Sequence, residues 1–288
     1  MDGDRLQQAI ELYDRFTHEG MDRRDFFARM TLIAGSAAAA TSLIAAIAAS
    51  PAAATIVPPD DSRLFTRTGS LGKAGLNGYV AIRKGPRKAP VVMVIHENRG
   101  LNPHIEDVAR RIALEGFIAV APDLLTSQGG TPANEDQARE MIGKVDLGAA
   151  VAAAITTGIE QAHLPRANGR WGIVGFCWGG AFVDRVAVAA GSKLDAGVSY
   201  YGPAPNPPEA VRVEAPLLLH HAGLDDRVAQ SLFPFVTALR EANKKVIFQV
   251  YDGANHAFNN DTSAERYNKA AADLAWRRTI RFFHKYLG

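Results

Sequence analysis

A single cysteine, Cys177, stands among 288 residues, which excludes a disulfide within the chain and any cluster of thiolate metal ligands. Charge of one sign is equally scarce. The 32 basic and 30 acidic residues leave a formal net charge of +2, too little to argue for nucleic acid as a partner. Metal-ligand spacing is missing from the histidines. His220 and His221 lie in an apolar strand and face opposite ways, and His96-Glu97 lacks the second histidine of a zinc-protease helix. His104, His163 and His284 sit in polar surroundings, so no metal and no cofactor is expected. No internal repeat and no linker interrupts residues 55–288, which read as one domain of ordinary composition, 47% apolar and 22% charged over the whole chain.

The one long uncharged apolar run, Thr31 to Ala49, follows Asp22-Arg23-Arg24-Asp25-Phe26-Phe27 and leads into small residues through Ala54. A basic pair, a soft hydrophobic stretch and a small-residue site are the parts of an export signal. Residues 1–54 resemble a twin-arginine signal with a long polar leader, in which Leu6, Ile10, Tyr13 and Phe16 fall roughly on one face of a weak amphipathic helix. A membrane anchor is the rival reading, since the run is long enough to cross a bilayer, but its alanine richness and the Ala-Ser-Pro-Ala-Ala-Ala end favour cleavage. These residues are therefore expected to stand outside the fold and to be removed. The export machinery is then a partner of the precursor, and the mature protein is periplasmic or secreted, without stable membrane association.

After residue 54 the pattern alternates. Gly78 to Arg83 and Pro90 to His96 read as strands, and Pro103 to Glu115 as a helix capped by Asn102. Gly116 to Pro122 reads as a buried strand, Glu135 to Ala162 as one long helical stretch, and Arg170 to Val174 as another strand, followed by a helix over Ala181 to Ala190. Strands at Ala196 to Tyr201, Pro216 to Ala222 and Val246 to Tyr251 enclose a helix at Gln230 to Asn243, and Thr262-Ser263-Ala264-Glu265 reads as a capping box opening the last helix. Alternation on this scale means a mostly parallel sheet with helices on both faces.

The lone cysteine lies in Gly175-Phe176-Cys177-Trp178-Gly179, where an apolar strand turns into a helix. This is the spacing of a nucleophile elbow, G-x-S-x-G with sulfur in place of oxygen. Glycine neighbours let strand and helix approach closely, and the helix amino end favours a thiolate. A buried core cysteine is the alternative. Reactive groups of parallel sheets gather at the carboxyl ends of strands. Here those ends carry His96-Glu97-Asn98-Arg99-Gly100, Cys177, Gly223-Leu224-Asp225-Asp226 and Asp252-Gly253-Ala254-Asn255-His256. Nucleophile, acid, then histidine is the chain order of α/β-hydrolases, and a thiol, imidazole and carboxylate converging from three strand ends make a working unit.

Val-Ile-His96-Glu97, Ala121-Pro122-Asp123-Leu124, Gly175 to Gly180, Gly223 to Val228 and His256-Ala257-Phe258 together resemble the dienelactone hydrolase (carboxymethylenebutenolidase) family over nearly all of residues 55–288. The resemblance implies an α/β-hydrolase fold with Cys177 as nucleophile, His256 as base and Asp225, preferred over Asp226, as the orienting acid. It also implies that Glu97 contacts and helps to ionise the thiol. The backbone N–H groups of Asn98 and Trp178 follow as the oxyanion hole. The best-known members of that family carry a carboxylate-gripping arginine four residues after the histidine, where this chain has Asn260; Arg139 matches a second such arginine loosely. Asn260 and Arg139 are thus the candidate substrate-binding residues, with selectivity in the loops Gln128 to Asp146 and Pro203 to Val213. The expected activity is hydrolysis of a small ester or lactone through a thioacyl intermediate. A thioesterase or general carboxylesterase, or a non-catalytic binding protein on the same fold, is the alternative.

Overall fold

Within Ala89–Ile95 (here β3), Val92 and Val94 face one apolar cluster while Val91, Met93 and Ile95 face another, so the two-residue period of an extended chain puts one strand in two cores. The structure is a computed structural model of the full chain and describes residues 3–48, 55–85 and 87–288. Its order is α1 (Gly3–His18), α2 (Arg23–Ala34), α3 (Ala37–Ile47), β1 (Leu64–Ser70), β2 (Asn77–Arg83), β3, α4 (Pro103–Leu114), β4 (Ile118–Pro122), α5 (Glu135–Ile142), α6 (Leu147–Ala162), β5 (Ala167–Phe176), α7 (Trp178–Ala190), β6 (Ala196–Tyr200), β7 (Leu217–Ala222), α8 (Asp226–Glu241), β8 (Val246–Tyr251) and α9 (Lys269–Leu287).

The strands form one sheet in the order β1-β2-β4-β3-β5-β6-β7-β8. Pairing is antiparallel from β1 to β2 and from β2 to β4, and parallel elsewhere. Helices α4 and α9 cover one face through Ile105, Val108, Ile112, Phe282 and Phe283. The other face is covered by α6, α7 and α8 through Val151, Phe182, Val186, Leu232 and Phe235. This is the α/β-hydrolase fold that the strand-end motifs implied.

Four local readings change. The long helical stretch is two helices meeting at 97°, because Gly143 ends α5 and the Asp146 side chain caps α6 by accepting the Ala149 N–H. The last helix opens at Lys269 under an Asn268 cap. The hydroxyls of the expected capping box are committed elsewhere, Thr262 to the Asn260 side chain and Ser263 to the Ile47 carbonyl. Helices α7 and α8 begin earlier than their apolar patterns, at Trp178 and Asp226; the Asp225 side chain caps α8, whereas Cys177 precedes α7 without a side-chain capping bond. Strand β1 was not anticipated; only Leu64 of its seven residues is buried, so a polar edge strand left little hydrophobic alternation to read.

The amino-terminal helices, expected to stand outside the fold, lie against it in the full-length chain. They share a small core of their own built on Ile10, Tyr13, Phe26, Met30, Leu43 and Ile47. Gly35 and Ser36 divide the apolar run, with α2 and α3 bent by 103°, and no single described helix is long and apolar enough to cross a membrane. The small-residue end expected to carry the cleavage site, residues 49–54, lies outside the described residues.

Candidate active site

Strand β5 delivers Cys177 at its carboxyl end with φ 55° and ψ −114°, a strained conformation that holds the side chain proud of the strand-to-helix turn. The turn is feasible only because its neighbours lack side chains. A Cβ on Gly175 would overlap the Gly179 backbone, and one on Gly179 would press on the carbonyls of Ile95 and His96. The Cys177 N–H donates to the Tyr200 carbonyl at 2.9 Å, which locks the elbow to β6.

His256 arrives from the loop after β8 and borders the same void as Cys177, whose side chain lies within its electrostatic reach. Its Nδ1 lies 2.5 Å from Asp225 Oδ2, while Asp225 Oδ1 accepts the Val228 N–H at 3.1 Å. One carboxylate thus orients the imidazole and caps α8. This separates Asp225 from its neighbour Asp226, which is the first residue of the helix. All three side chains are nearly sealed, with 5% of Cys177, 7% of Asp225 and 3% of His256 exposed. Burial by itself would depress the His256 pKa, but Cys177 and the Asp225 carboxylate outweigh it and push it up to about 10. Burial likewise opposes charge on Asp225, and the facing His256 overcomes this to hold its pKa low.

Trp178 is the first residue of α7, so its N–H has no acceptor within the helix, and with Asn98 and Cys177 it lines a cavity of about 290 Å³. Asn98 and Trp178, the residues expected to supply the oxyanion hole, thus both border the cavity beside Cys177. The same cavity is lined by Arg139, Gly143 and Pro203, from the two loops expected to set selectivity, and by Arg185 and Arg227. A second, much smaller void of about 20 Å³ touches Cys177, His256, Glu97 and Asn98.

Glu97 follows β3 and faces this void, its Oε2 accepting from Asn260 Nδ2 at 2.8 Å. Asn260 is therefore not open to substrate. It is 2% exposed, and its other amide atom accepts from both the N–H and the hydroxyl of Thr262, so it fixes Glu97 and the loop after His256. Arg139 does border the cavity, stacked 4.6 Å over the Phe16 ring and paired with Asp136 at 3.3 Å.

Sequence reasoning missed Arg185, Arg227 and Tyr201. Tyr201 follows β6 with φ 41° and packs its ring edge to face with His256, centroids 5.1 Å apart. Burial first, then Glu97 and Cys177, raise its phenol pKa well above the ordinary range. The strand-end rule that selected the other four loops would have found it. Arg185 sits on a helix with no motif to mark it, and Arg227 lies inside the Gly223 to Val228 stretch, where the acid beside it drew the reading.

The geometry has parallels among known proteins. The model of the dienelactone hydrolase family matches residues 76–287. A protein of Escherichia coli O157:H7, provisionally named carboxymethylenebutenolidase, is 34% identical over 220 residues, covering 69% of this chain and 78% of the relative. One of the same provisional name from Saccharolobus solfataricus is 30% identical over 249 residues, covering 74% and 95%. The crystal structure of a provisionally named dienelactone hydrolase from Klebsiella pneumoniae subsp. pneumoniae superposes with a TM-score of 0.70 at 28% identity, covering 77% of this chain and 99% of that one. Helices α1 to α3 lie outside the matched region, whereas the elbow, the acid loop and the histidine loop all lie within it. With an α/β-hydrolase sheet, a cysteine elbow and a family match across almost the whole sheet, this chain belongs to the dienelactone hydrolase family and is a dienelactone hydrolase-like hydrolase.

Proposed function

We propose that the protein hydrolyses a carboxylic ester or lactone through a thioacyl intermediate on Cys177. The observation that carries this reading is the convergence of Cys177, His256 and Asp225 from the carboxyl ends of three strands, with His256 bonded to Asp225 and bordering one void with Cys177. The thiol proton passes to His256, whose positive charge Asp225 balances. The sulfur then attacks the carbonyl carbon, and the carbonyl oxygen takes the negative charge toward the N–H groups of Trp178 and Asn98. Collapse breaks the C–O bond, the leaving alkoxide takes the proton from His256, and a thioester remains. Water, deprotonated by His256, attacks that thioester, releasing the acid and returning the thiol. In a lactone the alcohol and acid ends belong to one product.

Export supplies the second half of the reading. Arg23 and Arg24 open α2, both exposed, beside the apolar run, which supports their role as a twin-arginine address for transport of the folded chain to the periplasm or beyond. Cleavage would leave the domain of residues 55–288, with a small-molecule substrate as its partner.

The chemical test is rapid quenching of the purified protein with p-nitrophenyl acetate, followed by intact-mass and peptide analysis. An acetyl adduct on Cys177, and loss of turnover in Cys177→Ala, are expected. Undiminished turnover in Cys177→Ala would refute the thiol mechanism.

A further inference from the structure

Helix α1 holds on to the catalytic loops rather than to the outside of the fold. Tyr13 Oη accepts from Arg99 at 2.6 Å and the Thr17 carbonyl accepts from the Asn98 side chain at 3.4 Å, both on the loop of Glu97. Gln7 Nε2 donates to Asn255 at 3.0 Å, next to His256. Asp14 pairs with Arg266 at 3.2 Å, and that guanidinium lies 5.2 Å over the Tyr13 ring. At the start of α2, Arg23 pairs with Asp136 at 2.8 Å on the far side of the cleft.

The position matters as much as the grip. A leaving group must stand beside His256 to receive its proton. The space there is the small void, bordered by Tyr13 and Thr17, with room for about one water molecule at about 20 Å³. The neighbouring cavity, which shares Cys177, Asn98 and Thr17 with this void, is about 290 Å³. The space beside His256 is therefore narrowed by a helix that lies outside the family-matched residues, and Thr17 of that helix also borders the larger cavity.

We infer that α1 is an intramolecular plug: in the full-length chain it occupies the leaving-group side of the catalytic pocket and keeps Cys177 and His256 from turning over substrate until the amino-terminal segment is displaced or removed. The inference rests on the reading of Cys177 as nucleophile. A leader that closes the site would make the precursor silent and its loss the activating event, which suits a chain whose amino terminus is read as an export signal.

The test uses the full-length protein and two readouts: the second-order rate of Cys177 alkylation by iodoacetamide, which needs no turnover, and the hydrolysis of p-nitrophenyl esters of increasing acyl length. The double variant Gln7→Ala/Arg23→Ala removes two clasps from outside the triad and the oxyanion hole. Asp14→Asn removes a third, and thermal melts establish that each variant is folded. Both variants are expected to raise alkylation and turnover together, by tenfold or more. Unchanged rates in both would overturn the plug. So would a fall in turnover with alkylation unchanged, which would make α1 a working wall of the site. Faster alkylation without acyl transfer in any variant would leave the plug standing and refute the hydrolytic reading instead.

Discussion

Replacing Asp225 by asparagine tests the site at its most constrained contact. The carboxylate faces His256 Nδ1 at 2.5 Å, and the ring it faces is pushed from an ordinary 6.5 up to about 10 against the effect of its own burial. That rise corresponds to roughly 5 kcal/mol in favour of the charged ring, shared between Cys177 and Asp225. A hydrogen bond to a charged group contributes about 1.5–3 kcal/mol, so the variant should lower kcat/KM roughly ten- to 150-fold and move the alkaline limb of its pH profile down by about one to two pH units. Stability carries the same signature. Because the folded pKa of His256 is raised, its stabilisation is complete below pH 6.5 and is lost as the pH rises toward about 10. The share of Asp225, whose pKa is held low, is present above about pH 4 and is lost in acid. Urea unfolding between pH 6 and 10 should therefore show a smaller alkaline loss in Asp225→Asn than in the wild type. An alkaline limb and an alkaline stability loss that both match the wild type would show that Asp225 does not set the charge of His256.

Cys177→Ala should abolish hydrolysis while changing unfolding free energy by only about 1 kcal/mol, measured by denaturant titration at pH 7, because the side chain is small. Gly175→Ala should lower Tm by roughly 2 to 12 °C, since its Cβ would overlap the Gly179 backbone and the overpacking costs about 1–3 kcal/mol; an unshifted calorimetric Tm would refute the packing argument. Asn260→Arg should destabilise the protein without improving kcat/KM for a carboxylated lactone over its neutral analogue, because the position is sealed and its amide is bonded to Glu97 and Thr262. Changing Arg23 and Arg24 together to lysine should leave uncleaved precursor in the cytoplasm, seen by fractionation and immunoblotting, because the export reading depends on guanidinium groups rather than on charge.

The sequence by itself determined the strand-and-helix alternation and the residues at the carboxyl ends of four strands, because side-chain periodicity and the Gly-x-Cys-x-Gly spacing are local properties of the chain. It also carried the family resemblance, through motifs that each span a few consecutive residues. Only the tertiary structure decided what lay between them. The separation of Asp225 from Asp226 depends on which carboxylate meets a histidine 31 residues away, and the role of Asn260 on a glutamate 163 residues away. Arg185 and Arg227 enter the site because two helices from different segments border one cavity. The capping box failed for the same reason: Ser263 spends its hydroxyl on Ile47, a partner 216 residues distant. An amphipathic leader helix was legible at Leu6, Ile10, Tyr13 and Phe16, but its landing place was not, since the apolar face of a helix specifies that it is covered and leaves open what covers it. That choice belongs to long-range contacts, and here they set α1 over the catalytic pair.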